Sequence, residues 1–451
     1  MKGRIVILGA GESGAGAAVL AKKNGYDTFV SDKGIISSEA KGILEENAIP
    51  FEEGKHSDHL ILNADEVVKS PGIPATIPLV VKLKEKGIPI IDELEFAFRF
   101  TKAKIIAVTG TNGKTTTTLL IYHLLKEAGL NVGLGGNVGV SMAKQLATQD
   151  FDYWVLEVSS FQLDGMIDFR PHIAVLLNIT PDHLDRYGFQ MQQYIDSKFR
   201  IMQNMGSDEH LILFADDENI KKELNKRHIG TSMYKLSLEG LKEKGAGVTA
   251  EKLQFRLTDK NSVDWELTKS ELPIRGKHNL VNCMAAISAA HLVKLSPQEI
   301  RKGLATFQNA PHRMELVTQK EGVDYINDSK ATNVESAWYA LDSIQKPIIW
   351  IAGGTDKGND YSSLQPLVKE RVKALICLGV DNVKIKEAFE GRVGELFETQ
   401  TMNQAVEMAS KLAEKGDVVL LSSACASFDL FKNYEDRGEQ FKTAVKALQK
   451  N

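Results

Sequence analysis

The chain has 451 residues, 43% of them hydrophobic and 25% charged. That is ordinary globular composition, too long for one core, and at roughly 150 residues per domain it predicts about three domains. A formal charge of −4 supplies no basic field, so no nucleic-acid partner is expected and small molecules are the natural substrates. Cys283, Cys377 and Cys425 are far apart and lack any C-x-x-C spacing, which reads as reduced thiols of a cytoplasmic protein. No segment approaches the roughly 18 uninterrupted apolar residues of a membrane span, and no membrane insertion is expected.

The apolar start Ile5-Val6-Ile7-Leu8 runs straight into a glycine loop, as a strand does and a signal peptide does not. Over residues 1–97, β-rich runs at Arg4–Leu8, Thr28–Val30 and Glu66–Lys69 alternate with helix-like stretches such as Gly14–Asn24. This alternation predicts βαβ units and a parallel sheet. Gly9-Ala10-Gly11-Glu12-Ser13-Gly14 lies between strand and helix, where backbone N–H groups and a helix N-terminus receive a diphosphate. Asp32 ends the next strand, at the spacing of an acid that meets a ribose hydroxyl or a nearby ring nitrogen. NAD(P) and UDP both fit such a loop.

The second series, residues 98–304, opens with the strand Lys104–Thr109 and the loop Gly110-Thr111-Asn112-Gly113-Lys114-Thr115-Thr116, then a helix to about Ala128. Val108 stands where the longer G-x-x-x-x-G-K-[ST] loop needs glycine, so this is a shorter phosphate loop. Lys114 suits the β- and γ-phosphates of ATP, and Thr115 or Thr116 suits Mg²⁺. Two phosphate loops in one chain imply two nucleotides, one consumed and one a handle on the substrate. Glu157, ending the strand Tyr153–Val158, and His183, after the strand Ile173–Asn178, fall on the sheet edge where ligands gather and could complete a magnesium site. On residues alone, Lys198 on an amphipathic helix is a surface lysine. The polar stretch Gly240–Asp264 reads as surface hairpins or a loop excursion.

In residues 305–451, strands at Asp324–Ile326, Pro347–Ala352, Ala374–Leu378 and Asp417–Leu421 mark a third α/β unit. Three polar clusters follow strands: Asn327–Asn333, Gly353–Gly358 and Ser422–Asp429. They should converge on one edge and hold a small polar substrate, with Lys357 and Ser427 suited to a carboxylate. The expected fold is α/β in three consecutive domains: N-terminal Rossmann-like, central P-loop ATPase-like and C-terminal Rossmann-like.

With these residues assembled, the chain resembles the Mur ligases through all three domains. The carriers are residues 109–116, Gly136-Asn137-Val138-Gly139, Asn178–Asp185, His278–Asn282, His312-Arg313, Asn327–Asn333 and Ala424–Asp429. The resemblance implies ATP-dependent ligation of D-glutamate to UDP-N-acetylmuramoyl-L-alanine, in cytoplasmic peptidoglycan precursor synthesis, by a monomer. Ser13, Asp32, Ser70, Gly72 and Asn137 would hold the UDP-muramoyl part. Gly110 to Thr116, with Asn282, Arg313 and Asp328, would hold ATP. Thr115, Glu157 and His183 would bind two magnesium ions, and Lys198, carbamylated, would be an anionic metal ligand, which reverses the surface reading. Lys114, His183 and Lys198 would be the catalytic groups, and Thr332, Lys357, Ser427, Phe428 and Tyr434 would enclose D-glutamate. A carboxylate resists an amine until it is activated, so an acyl phosphate is the expected intermediate. A folylpolyglutamate-type synthase would leave the first loop without a diphosphate. An NAD-dependent oxidoreductase would leave the second loop idle, and a non-catalytic ATP switch would leave the third-domain clusters unexplained.

Overall fold

A computed structural model of the chain describes residues 2–258, 262–274, 276–356 and 358–448. They form three α/β domains, each on its own sheet. The first sheet comprises β1 (Lys2–Leu8), β2 (Tyr26–Ser31), β3 (Phe51–Glu52), β4 (Glu66–Lys69) and β5 (Ile90–Ile91), all parallel in the order β3-β2-β1-β4-β5. β1 is apolar without alternation because both its faces are covered. Ile5 and Ile7 pack with Ala17, Ala18 and Leu20 of the helix Glu12–Lys23. Val6 and Leu8 pack on the opposite face with Leu79 and Leu83 of the helix Pro78–Glu85. The strand order reverses between β1 and β4, which opens a crevice at their carboxyl ends.

The second sheet comprises β6 (Lys104–Thr109), β7 (Val132–Gly136), β8 (Tyr153–Glu157), β9 (Ile173–Leu176), β10 (His210–Phe214), β11 (Ser232–Ser237), β12 (Gly245–Val248), β13 (Lys252–Arg256) and β14 (Trp265–Thr268). β6 lies between β8 and β9, so the phosphate loop, Glu157 and the segment leading to His183 leave three adjacent parallel strands at one edge. The polar stretch 240–264 is no loop excursion: β12 joins β11 in parallel, and β13 and β14 add antiparallel hairpins that extend the sheet.

One apolar cluster runs from Ile5 and Ile7 through Leu94 and Phe96 to Leu156 and Leu213. The first two domains therefore share a core and form one compact unit, residues 1–273 and 280–307, while 274–279 and 308–451 form a second. In the second unit β15 (Glu315–Lys320) is an antiparallel edge. β16 (Val323–Asn327), β17 (Ile348–Gly353), β18 (Val372–Leu378), β19 (Glu395–Thr399) and β20 (Val418–Ala424) are parallel, in the order β15-β16-β20-β17-β18-β19. Among the described residues no helix is long and apolar enough to cross a membrane.

Candidate active site

The turn from β6 into the helix Lys114–Glu127 is built on two glycines with positive φ, Gly110 at 150° and Gly113 at 84°. A Cβ at Gly113 would lie 2.3 Å from Asn282 Oδ1, so backbone conformation and a close neighbour both demand glycine there. The segment after β9 braces the loop. Thr111 N donates to Asn178 O (2.8 Å), Asn112 N donates to Asn178 Oδ1 (2.8 Å), and Asn178 Nδ2 donates back to Asn112 O (3.0 Å). Lys114 Nζ donates to the carbonyls of Gly110 (3.0 Å) and Thr111 (2.7 Å), which places its charge over the helix N-terminus. Thr115 and Thr116 are buried in the first turn.

Lys198 corrects the reading from residues alone. It is 1% exposed, with Nζ donating to Gly110 O (2.9 Å) and Thr109 Oγ1 (3.3 Å) beneath the phosphate loop. Burial, and then the like charge of Lys114, hold its ammonium well below the usual lysine range. Glu157 is 2% exposed. Its Oε1 accepts from Asn137 Nδ2 (2.7 Å), and its buried Oε2 has no hydrogen-bond partner among the described residues. Asn137, expected at the muramoyl group, therefore also orients Glu157, and its own N–H donates to Glu157 O (2.8 Å). His183 has a left-handed backbone (φ 52°) and a side chain 46% exposed, with its ring edge-on to Phe161 at 5.1 Å between centroids.

In the first domain, Gly9 meets Ser70 so closely that a Cβ would lie 2.4 Å from Ser70 Oγ. Ser13 lies in the first turn of the helix Glu12–Lys23, and Gly72 is exposed nearby in sequence to Ser70. Asp32 braces the glycine loop itself: Oδ2 accepts from Ala10 N (2.6 Å) and Oδ1 from Gly34 N (2.7 Å).

The second unit brings the three polar clusters together, because β16, β20 and β17 are neighbours. Thr355 N donates to Ala426 O (2.8 Å), and Asp328 N donates to Leu421 O (2.7 Å). Asp328 is fully enclosed and accepts from Ser422 Oγ (3.0 Å) and Met314 N (3.2 Å). Burial pushes its carboxyl up to about 7 against the pull of Arg313. Arg313 is half-buried, with its Nε unpartnered. Thr332 is exposed, Ser427 is buried, and Phe428 is 70% exposed. Tyr434 starts the last helix, its carbonyl accepting from Ser329 Oγ (2.8 Å) and its ring 5.2 Å from Lys330 Nζ. Lys357 lies outside the described residues.

Residues 4–77 match the MurD N-terminal domain, 108–290 the Mur ligase middle domain, and 312–425 the Mur ligase, glutamate ligase domain. The chain belongs to the Mur ligase family. It is an enzyme of that family, 53% identical over 446 residues to the UDP-N-acetylmuramoylalanine–D-glutamate ligase of Bacteroides fragilis, covering 99% of this chain and all of that one. The ligase of the same name from Christiangramia forsetii is 52% identical, with 99% of each chain covered. The UDP-N-acetylmuramate-alanine ligase MurC from Thermotoga maritima shares the fold, with a TM-score of 0.62 at 18% identity over 99% of both chains.

Sequence reasoning missed two arginines of this ligase. Arg437 is 1% exposed in the last helix and donates to Ser329 Oγ (2.9 Å), Ser329 O (2.8 Å) and Cys425 O (3.2 Å), tying two of the clusters together. Arg186 sits in the segment after His183. Neither stands in a motif of recognisable spacing, and no local signal marks a buried arginine.

Proposed function

We propose that this ligase joins D-glutamate to the L-alanyl carboxylate of UDP-N-acetylmuramoyl-L-alanine at the expense of ATP. The observation that carries the reading is the near full-length identity to D-glutamate ligases, in a chain that keeps a phosphate loop over a buried lysine. The carboxylate attacks the γ-phosphorus of ATP, ADP leaves, and an acyl phosphate forms. The amine of D-glutamate then attacks the acyl carbon, losing a proton, and inorganic phosphate departs from the tetrahedral intermediate.

Lys114 meets the transferring phosphoryl group, whose spread charge is the main thing a protein can stabilise in so loose a transition state. Gly110 to Thr116 cradle ATP by backbone N–H groups, and Asn282, Arg313 and Asp328 complete its site. Magnesium fits Thr115, Glu157 and His183: the unpartnered Glu157 Oε2 is a buried carboxylate oxygen in want of a cation. Among the described residues no three His, Cys, Asp or Glu side chains group as a metal site; magnesium is an ion that keeps several waters. Bound there, two magnesium ions would neutralise phosphate charge. Lys198, held towards its neutral amine, suits addition of CO₂ to give a carbamate and a proton, supplying the further anionic ligand. Ser13, Asp32, Ser70, Gly72 and Asn137 hold the UDP-muramoyl part. Thr332, Lys357, Ser427, Phe428 and Tyr434 receive D-glutamate. The enzyme works in the cytoplasm as a monomer, and sedimentation at micromolar concentration tests its size. Phosphate release with paired acceptor and amino-acid substrates tests the reaction.

A further inference from the structure

Four consecutive carbonyls, those of residues 70 to 73, are held by two cations. Lys69 Nζ donates to Ser70 O (3.0 Å) and Ile73 O (2.8 Å). Arg186, from the second domain of the same compact unit, donates from Nη2 to Pro71 O (3.3 Å) and from Nη1 to Gly72 O (3.5 Å). The ends of the loop are anchored in the first domain: Ser70 N donates to Leu8 O (2.9 Å), and Ile73 packs against the apolar cluster of Val6 and Leu8. A cleft of about 590 Å³ opens there, walled by Lys69, Pro71, Ile73, Phe161 and Tyr187. Between those anchored ends, Pro71 and Gly72 keep their place through their ties to Arg186.

The guanidinium that makes two of those ties is itself fixed. Its carbon lies 4.5 Å from the centre of the Phe161 ring, a cation–π contact. The same ring stands edge-on to His183 and stacks on Tyr187 at 6.1 Å. Phe161 belongs to the short helix Ser160–Leu163, whose Ser159–Gln162 capping box follows directly on Glu157 and β8. Arg186 thus reads the position of the 70–73 loop against the segment that carries Glu157 and His183. The planar, forked guanidinium presents a separate N–H group to each of the adjacent carbonyls of Pro71 and Gly72.

We infer that Arg186 is a positioning residue for the nucleotide-sugar substrate, setting the Ser70–Gly72 loop in register with Glu157 and His183. This rests on the reading that Ser70 and Gly72 hold the UDP-muramoyl group. The test is calorimetric binding of UDP-N-acetylmuramoyl-L-alanine, and separately of a non-hydrolysable ATP analogue, to the full chain and to Arg186→Met and Arg186→Lys. The expected result is a loss of roughly tenfold in nucleotide-sugar affinity for the Met variant, a smaller loss for Lys, and ATP-analogue affinity and melting temperature close to the parent's. Unchanged nucleotide-sugar affinity in the Met variant would overturn the inference. So would parallel loss of both ligands with a lowered melting temperature, the mark of a merely structural arginine. Failure of the parent chain to bind the nucleotide sugar at all would instead sink the substrate reading beneath it.

Discussion

At the scale of single residues, two lysines, Lys114 and Lys198, share the carbonyl of Gly110 as an acceptor. With Lys114 in the proposed role of meeting the phosphoryl group, Lys114→Ala is expected to lower kcat about 10²–10³-fold, the usual loss of a charge-stabilising donor. Steady-state phosphate release measures it, and a variant retaining most of its turnover contradicts the mechanism. Lys198 is proposed to act through modification. Its burial disfavours the ammonium form, which favours the amine to which CO₂ can add. Enzyme equilibrated with ¹³C-bicarbonate should give a carbamate carbonyl resonance that Lys198→Met lacks. A parent spectrum without that resonance would remove Lys198 from the anionic ligands.

At the scale of elements, the phosphate loop is a strand, a glycine turn and a helix, and its glycines are not interchangeable with alanine. Gly113→Ala would carry a left-handed φ of 84° and a Cβ against Asn282. It should lower the melting temperature by an amount equivalent to about 1–2 kcal/mol or more and weaken ATP-analogue binding; a variant indistinguishable from the parent would show the turn to be adaptable. The short helix Glu93–Phe98 carries another buried acid. Glu93 accepts from Ser141 Oγ (2.8 Å) and Ala143 N (2.6 Å), and burial raises its carboxyl to about 7. Between the unfolded value near 4.5 and about 7, the folded chain holds the proton that the unfolded chain loses. The stability Glu93 confers is therefore complete below the lower value and lost as pH rises through the upper one. The melting temperature of Glu93→Gln, relative to the parent, should rise from pH 5 to pH 8, and a difference constant across that range would refute the assignment. Elements of this kind differ in how far sequence reveals them. The loop at 110–116 and the strands β4 and β6 were legible because their signals are local: glycine spacing, a lysine at the helix start, and short β-branched runs. Lys198 and Arg437 were not, because polar residues on amphipathic helices look solvated until the sheet that covers them is in place. Asn137 was legible as a site residue but not as the partner of Glu157, a contact made across adjacent strands.

At the scale of the whole molecule, three sheets follow one another as the alternation of strands and helices predicts. The continuous core between the first two was not legible, since Leu94, Phe96 and Phe169 join it only through tertiary packing. Each domain contributes a different part: a glycine loop after β1, a phosphate-type loop over the buried Lys198, and a polar edge built from three adjacent strands. The family relationship makes the chain a ligase, and the amino acid it accepts decides its function. The most direct measurement is phosphate release from ATP and Mg²⁺ with UDP-N-acetylmuramoyl-L-alanine, adding D-glutamate, L-glutamate, L-alanine or L-lysine in parallel. Release is expected with D-glutamate alone; release with another of the four, or with none, would contradict the proposed function.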